Sequence, residues 1–274
     1  MKVLLISDLH INAYCPHSAN YDTLVPYYED FCRRYMTPAD AICLAGDIAN
    51  EAILQSHFLR FLTTKYGKVY YVFGNHDLVV KGDFLDGQSG FSSSEKRMAS
   101  IKELGKELDN LFVLDGDVSP DGLVGGTMGM CDFSYRLPKW PDFDPLKFWR
   151  EKWFDGRHWE YRGQEFGDIL AYEMEKLKRV CEHKPKIIMT HFCPLQMGVT
   201  EKFSDNPVTS VFFFDAEKYL TTLPAGTIWQ CGHTHNQYDT EWGGVRIMCN
   251  PLGYPEEENH FGVCKGAGTY VVEI

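Results

Sequence analysis

Polar residues that can bind metal ions recur directly after short apolar runs of the sequence. The five groups are Asp8-Leu9-His10, Gly46-Asp47-Ile48-Ala49-Asn50, Gly74-Asn75-His76-Asp77, His191 alone, and Gly232-His233-Thr234-His235. They contain five of the ten histidines of the chain. Carboxylate, imidazole and amide donors suit divalent cations such as Mn, Fe or Zn. The pattern therefore indicates a metal site, provided that the fold brings the five groups together.

The apolar runs before these groups have the length and composition of buried β-strands. They belong to a set of nine strand candidates, at residues 3–6, 41–44, 69–73, 111–114, 123–128, 187–189, 227–230, 245–249 and 269–274. Helix candidates occupy residues 22–36, 51–64, 94–110, 164–182 and 215–223. Side chains just past the carboxyl ends of strands in an α/β sheet converge on one crevice. We therefore expect the five polar groups to meet there.

The order of these elements predicts an α/β architecture with two sheets. The first third of the chain alternates strand and helix, which implies parallel pairing with right-handed crossovers. The last third is richer in strands and turns, which favours two sheets over one doubly wound sheet. No linker or low-complexity segment divides the sequence, so we predict a single domain over residues 1–274.

One stretch, residues 135–166, differs in composition from the rest of the chain. It holds four of the six tryptophans. The stretch is too short to form a core of its own, and we interpret it as an insertion or lid that selects the substrate. Alternatively, its aromatic residues bury against the domain or against a second subunit in a homo-oligomer.

Composition and charge argue against several functional classes. The chain has 274 residues, with 27 Lys+Arg against 38 Asp+Glu, and its net charge is −11. This balance repels nucleic acids and anionic membranes, so neither is expected as a partner. No apolar run is long enough for a signal peptide or a membrane-spanning helix. The nine cysteines include no C-x-x-C pair, and we predict reduced thiols in a cytoplasmic protein.

Taken in order, the five polar groups resemble the calcineurin-like metallophosphoesterase family. The signature of that family is D-x-H, G-D-x-x-[DN], G-N-H-[DE], a lone H and G-H-x-H, and all five parts are present here. The resemblance implies a four-layer αββα sandwich, in which two mixed β-sheets lie between outer helices. It also implies two metal ions at the carboxyl ends of the strands.

The resemblance further implies a set of ligands for each ion. One ion would be held by Asp8, His10, Asp47 and His235, and the other by Asp47, Asn75, His191 and His233. The shared Asp47 would bridge two ions about 3.5–4 Å apart, as in other two-metal hydrolytic sites. Water held between them would be deprotonated near neutral pH and would attack phosphorus in line.

His76 is the matching histidine that is not a ligand. By resemblance it would touch the phosphate and protonate the leaving oxygen. Asp77 could orient the ring of His76 or raise its pKa, which acid catalysis near neutral pH requires, or it could simply cap a turn. Asn50 lies where the family often has an acidic residue, and its role is open.

Two further residues are candidates for contact with the substrate. Arg136 follows the strand at residues 123–128 and could reach a phosphate oxygen with its planar side chain. Asn250 begins an Asn-Pro-Leu-Gly turn that is similar to a C-terminal turn of the family. The alternatives are a solvated surface arginine and a plain Pro/Gly turn.

These observations predict a metal-dependent phosphohydrolase that acts on a phosphomonoester or a phosphodiester. The expected substrate is a small phosphorylated molecule or a nucleotide. A phosphoprotein phosphatase would need an open cleft, whereas residues 135–166 favour a covered one. A nuclease would need a basic groove, which the charge does not provide. A non-catalytic metal-binding scaffold would be expected to lose ligands or His76, and this sequence keeps them all.

Overall fold

Two mixed β-sheets form the centre of the protein in its computed structural model. The structure describes residues 1–82, 90–135, 140–161, 163–197, 199, 203–260 and 270–274, with the backbone alone for residues 258–260.

The first sheet has five strands, four of them parallel. These are β1 (Lys2–Ile6), β2 (Ala41–Ala45), β3 (Lys68–Val72) and β4 (Leu111–Val113), adjacent in this order. The fifth, β11 (Val271–Glu273), pairs antiparallel with β1 at the edge. Parallel neighbours end at the same edge of the sheet, so the residues after β1, β2 and β3 come together there.

The second sheet has six strands. They are β5 (Asp117–Val118), β6 (Val124–Gly126), β7 (Ile187–Met189), β8 (Ile228–Cys231), β9 (Tyr238–Trp242) and β10 (Val245–Cys249). Their order across the sheet is β5-β6-β7-β8-β10-β9. The inner four strands are parallel, and the two edge strands are antiparallel to their neighbours.

In the described part of the chain, eight α-helices connect the strands. They are α1 (Tyr21–Tyr35), α2 (Ala52–Thr63), α3 (Ser94–Glu107), α4 (Pro145–Glu151), α5 (Phe154–His158), α6 (Phe166–His183), α7 (Glu217–Leu220) and α8 (Pro255–His260). Local sequence sets several helix starts. The side chain of Asn20 caps α1 and that of Ser93 caps α3, each by accepting a backbone N–H of the first turn.

The strand side chains alternate between two apolar layers. Val3 and Leu5 of β1 belong to a cluster between the sheets that also includes Ile187 of β7. Leu4 and Ile6 belong instead to a cluster that includes the buried residues of the helices. This arrangement confirms the predicted α/β sandwich with two mixed sheets and helices outside.

Every strand candidate corresponds to a strand of the structure, but β5, β9, α4, α5 and α8 were not predicted. β9 is an exposed edge strand with the polar sequence Tyr-Asp-Thr-Glu-Trp, and edge strands do not need an apolar face. The other four elements have two to seven residues, too few to show a periodic pattern. Among the described residues, no helix has the length and apolarity to cross a membrane, and the eight described cysteines are free thiols.

Candidate metal centre and active site

The five polar groups lie together at the carboxyl ends of β1, β2, β3, β7 and β8. Among the described residues of this cluster, three sets of side chains, buried except for the partly exposed His76 and His235, have potential ligand atoms within 4.8 Å of one another. These sets are Asp8, His10 and His235; His10, Asp47 and His76; and Asp8, Asp47 and His191. Asn75 and His233 join them through contacts described below. The structure thus brings all seven sequence-predicted ligands into one cluster.

Asp47 lies at the centre of this cluster. Its Oδ2 is 3.3 Å from Nε2 of His191 and 3.8 Å from Nε2 of His10. Its Oδ1 accepts the backbone N–H of His76 at 2.8 Å. One carboxylate oxygen is therefore shared between two histidines that come from different sheets, as a bridging ligand requires.

Asp8, His10 and His235 form one side of the cluster. Nε2 of His235 lies 3.4 Å from Oδ1 of Asp8 and 3.0 Å from Nε2 of His10. Nδ1 of His235 contacts Oε2 of Glu257 at 2.7 Å. A carboxylate can only accept, so Nδ1 carries a proton and Nε2 points into the cluster.

Asn75, His191 and His233 form the other side. Oδ1 of Asn75 is 2.8 Å from Nε2 of His191 and 3.0 Å from Nδ1 of His233. Nδ1 of His191 donates to the backbone carbonyl of Ala45 at 2.8 Å. The proton on Nδ1 therefore turns Nε2 of His191 toward the oxygens of Asn75 and Asp47.

This donor set fits divalent cations. Nitrogen and oxygen atoms face one another at hydrogen-bonding distance on both sides of Asp47, and positive charge between them, as ring protons or as bound cations, stabilises this arrangement. The tautomers of His191 and His235 are each fixed by an outer acceptor, which is typical of histidines that bind metal ions. Two carboxylates, four imidazoles and one amide suit Mn, Fe or Zn.

The electrostatics of the cluster favour positive charge in the same way. Burial opposes protonation of His191, but Asp47 and Asp8 outweigh it and raise the pKa of His191 to about 10. Burial also opposes protonation of His235, but Asp8 and Glu257 raise its pKa to about 10. Although burial disfavours the charged carboxylate of Asp8, the contact with His235 lowers the pKa of Asp8 to about 2.

The backbone of the cluster is held in an unusual conformation. Five of the seven predicted ligands have left-handed φ angles: Asp8 (53°), His10 (41°), Asp47 (57°), His233 (69°) and His235 (49°). Non-glycine residues rarely adopt this region, and each instance costs on the order of 1–3 kcal/mol. Such strain persists only where the surrounding structure imposes it. Here the left-handed conformations direct the side chains of neighbouring residues into one site.

Gly46 and Gly74 let the two central loops approach each other. Gly46 has a φ of 85°, and a Cβ there would lie 2.6 Å from Cα of Gly74. Any side chain would therefore push the loop after β2 away from the loop after β3. Those loops carry Asp47 and Asn75, so the glycines set the spacing of the ligands.

His76 lies at the edge of the cluster, where its ring is also within reach of His10 and Asp47, and its role as a residue that is not a ligand stays a prediction. Its ring stacks on Phe154 at a centroid distance of 4.3 Å and meets the edge of His10 at 4.9 Å. Nδ1 of His76 contacts Oδ1 of Asn50 at 2.6 Å, which answers the open question about Asn50. Burial lowers the pKa of His76 to about 4.

Asp77 binds backbone N–H groups and does not orient the ring of His76, contrary to the prediction from the sequence. Its Oδ2 accepts the backbone N–H groups of Asp47 and Gly74, both at 2.8 Å. Its Oδ1 accepts those of Ile48 at 2.9 Å and Ala49 at 3.3 Å. Asp77 therefore ties the loop after β2 to the loop after β3, while Asn50 contacts the ring.

Of the two predicted substrate contacts, Asn250 and Arg136, the structure describes only Asn250. Asn250 is fully buried, and its Nδ2 donates to the carbonyl of Leu5 at 2.6 Å while its Oδ1 accepts from Gln237 at 3.0 Å. Both polar ends thus bind protein, which gives Asn250 a structural role in place of the predicted substrate contact. Arg136 lies outside the described residues. The turn that begins at Asn250 does reach the site, because Tyr254 stacks on His10 at 4.1 Å.

Sequence reasoning missed several residues that support the ligands. Asp155 accepts from Nδ2 of Asn75 at 2.7 Å, and Nε1 of Trp159 donates to the carbonyl of Asn75 at 2.8 Å. Both come from residues 135–166, where Trp149 and Trp159 are buried in the main core. Glu257 supports His235 from α8. An acidic residue among tryptophans weakly indicates a buried supporting role for Asp155. The sequence carries no comparable signal for Glu257.

Comparison with known proteins agrees with this geometry. Residues 1–237 match the calcineurin-like phosphoesterase family. No curated relative matches the chain in sequence. The crystal structure of Phosphopantetheinyl Hydrolase (PptH) from Mycobacterium tuberculosis is similar, with a TM-score of 0.70 and 18% identity, over 94% of this chain and 91% of that one. A second solved structure has a TM-score of 0.51 and 15% identity, over 93% of this chain and 91% of the other.

At 18% and 15% identity, the two similar structures support the fold alone. The family match supports the chemistry. That match includes every one of the five polar groups, from Asp8 to His235. The fold then brings these groups to one buried cluster that favours cations. This chain belongs to the calcineurin-like phosphoesterase family and is a phosphoesterase hydrolase.

Proposed function

We propose that this hydrolase cleaves a phosphomonoester or phosphodiester of a small molecule or nucleotide with the help of two divalent cations. The observation that carries the proposal is the position of Oδ2 of Asp47, 3.3 Å from His191 and 3.8 Å from His10. One ion would be held by Asp8, His10, Asp47 and His235, and the other by Asp47, Asn75, His191 and His233. When bound, the ions supply charge neutralisation for the phosphate and an acidified water as nucleophile.

His76 is the proposed acid for the leaving oxygen. Its Nδ1 is engaged by Asn50 at 2.6 Å, which leaves Nε2 for the substrate. Burial keeps the ring neutral without substrate, and the negative oxygens of a bound phosphate would favour its protonated form. A proton at Nε2 would then pass to the leaving oxygen as the phosphorus–oxygen bond breaks.

Two aromatic rings beside the cluster favour a flat or apolar leaving group. Phe154 stacks on His76 and Tyr254 stacks on His10, so both rings lie next to the groups that would meet the substrate. Such rings stack on nucleobases with about 1–3 kcal/mol each. This supports a small ligand in preference to a phosphoprotein, and it supports the proposal that residues 135–166, which include Phe154, select the substrate.

A metal-supplemented activity screen tests this proposal. Hydrolysis of bis(p-nitrophenyl) phosphate and of p-nitrophenyl phosphate with Mn²⁺, Fe²⁺ or Zn²⁺ separates diesterase from monoesterase activity. A second round would cover phosphorylated metabolites, nucleotides, cyclic nucleotides and phosphopantetheinyl compounds, the last because the name of the Mycobacterium tuberculosis protein reports that group. Activity without added metal in a fully stripped chain, or activity retained by Asp47→Asn, would contradict the proposal.

The role of the aromatic rings needs point substitutions. Removal of residues 135–166 would also remove Asp155 and Trp159, which support Asn75, so a deletion would confuse selection with metal binding. Phe154→Ala should raise KM for the best natural substrate and spare small artificial esters. Trp140→Ala is the matched control, since Trp140 is exposed in the same segment. Equal losses on both kinds of substrate would remove the selective role.

A further inference from the structure

Three cysteine sulfurs meet behind the turn that carries His233 and His235. Cys193 follows β7, while Cys231 and Cys249 are the last residues of β8 and β10 and face each other in the register of these strands. All three side chains are fully buried. Their sulfur atoms lie within 4.8 Å of one another. The ends of three neighbouring strands therefore place three sulfurs close together.

A phenol oxygen completes the cluster. The hydroxyl of Tyr238 in β9 lies 3.1 Å from Sγ of Cys231 and 3.3 Å from Sγ of Cys193. In a tetrahedral zinc site with Zn–S bonds of about 2.3 Å, neighbouring sulfurs are about 3.8 Å apart and an oxygen lies about 3.5 Å from each sulfur. The two oxygen–sulfur distances and the 4.8 Å limit on the sulfur spacing all lie within about 1 Å of these tetrahedral values.

We propose that Cys193, Cys231, Cys249 and Tyr238 hold a zinc ion, at a structural site separate from the catalytic centre. Thiolates select Zn²⁺ and Cu⁺ among the common cations, and the phenol oxygen favours the harder Zn²⁺. Four protein ligands make a closed site, as in structural zinc centres. Binding replaces the three S–H protons, which leave to solvent, while Tyr238 coordinates as a neutral hydroxyl.

The position of this cysteine cluster gives the ion a role. In the thiol form Sγ of Cys193 donates to the carbonyl of Gly232 at 3.1 Å, a hydrogen bond that ion binding would replace, and Sγ of Cys249 lies 3.7 Å from the same oxygen. Gly232 directly precedes His233. An ion bound to the sulfurs would join the ends of β7, β8 and β10 and would fix the base of the turn that carries two catalytic ligands. Buried thiols that act only as small apolar groups would bind no ion.

Cadmium is a suitable probe, because thiolate ligands give Cd²⁺ a charge-transfer absorption in the ultraviolet that imidazole and carboxylate ligands do not give. The full chain, refolded under reducing conditions with Cd²⁺ and then desalted, should show this band at one thiolate-bound ion per chain. Cys249→Ser should lose the band. The matched control Cys181→Ser, which changes a buried cysteine of α6, should keep it, and so should Asp47→Asn.

Folded wild-type protein without the band, or a full band in Cys249→Ser, would overturn the proposal. If circular dichroism shows that Cys249→Ser does not fold, Tyr238→Phe serves as the second variant. It should keep the band but bind Cd²⁺ at least tenfold more weakly, and unchanged affinity would contradict the four-ligand site. Because the band reports only thiolate binding, these outcomes are independent of phosphoesterase activity.

Discussion

The side-chain amide of Asn75 donates a hydrogen bond to the buried carboxylate of Asp155 at 2.7 Å. This contact fixes which way the amide points, because its nitrogen faces Asp155 and its oxygen faces His191 and His233. Asp155 lies in α5, within the tryptophan-rich residues 135–166. A segment that resembles an insertion in the sequence is therefore built into the support of a proposed metal ligand.

Asp155→Ala should weaken metal binding on the side of the cluster formed by Asn75, His191 and His233. Loss of an outer partner typically reduces metal affinity about 10–100-fold, and the ion on the other side should be nearly unaffected. Metal titration followed by elemental analysis measures both. Asp142→Ala, at an exposed position of the same segment, is the control, and two ions retained at full affinity by Asp155→Ala would show that the contact does not position Asn75.

Glu257→Ala should have the complementary effect. Glu257 accepts from Nδ1 of His235 at 2.7 Å and from the backbone N–H of Tyr254 at 2.8 Å, so its loss frees the ring of His235. The ion on the side of Asp8 and His10 should then bind about 10–100-fold more weakly. The neighbouring Glu256→Ala should bind both ions normally. If Glu257→Ala affects the Asn75 side instead, the proposed division of ligands is wrong.

His76→Ala should keep its metal content and lose turnover. The expected loss is about 10²–10⁴, the usual range for a positioned acid, and it should be smaller for esters with good leaving groups. Asn50→Ala should show a weaker form of the same defect, since it removes only the partner of Nδ1. Steady-state rates over a series of leaving groups test this, and a variant that loses metal would make His76 a ligand.

Asp121 should make stability depend on acidic pH. It accepts from Lys68 at 2.6 Å, from Tyr70 at 2.7 Å and from Ser119 at 2.6 Å. Burial opposes ionisation, but these contacts outweigh it and hold the pKa of Asp121 well below its usual range. The depressed pKa means that its contribution is complete above the unfolded value of about 3.9 and is lost as pH falls below it.

Asp121→Asn should therefore lower the free energy of unfolding by about 0.5–1 kcal/mol near pH 7, because solvent screens this exposed carboxylate, and the difference from wild type should shrink near pH 3. Urea unfolding at the two pH values measures this. Asp109→Asn changes an exposed aspartate and should show little difference at either pH. A deficit in Asp121→Asn that grows on acidification would reverse the expected sign.

The sequence was sufficient for the parts of the molecule that follow simple periodic rules. Strands β1, β2, β3, β7 and β8 are short apolar runs, and each of the seven proposed ligands comes at or just after the end of one. Parallel pairing brings together the ends within each sheet, and the packing of the two sheets against each other brings the two sets of ends together. This is why the sheets, most helices and the convergence of the five polar groups could be predicted from the sequence.

The residues that support the ligands could not be predicted in the same way. Asp155, Glu257 and Tyr254 reach the site from short helices and an irregular turn, 80 residues from Asn75 in the first case and 22 from His235 in the second. For Asp77 the sequence predicted a contact that the structure does not contain. Its position next to His76 suggested that it contacts the imidazole ring. In the tight turn after β3 the two side chains diverge, and Asp77 binds backbone N–H groups instead.

The most direct test of the account is the metal stoichiometry of the folded chain together with its phosphoesterase activity, before and after Asp47→Asn. Thiolate-bound ions are counted separately by the charge-transfer band of Cd²⁺. We predict two further divalent ions per wild-type chain and metal-dependent hydrolysis of a phosphate ester. Asp47→Asn should weaken the binding of both ions together and abolish turnover. Loss of one ion only, or activity that survives the substitution, would contradict the central role of Asp47.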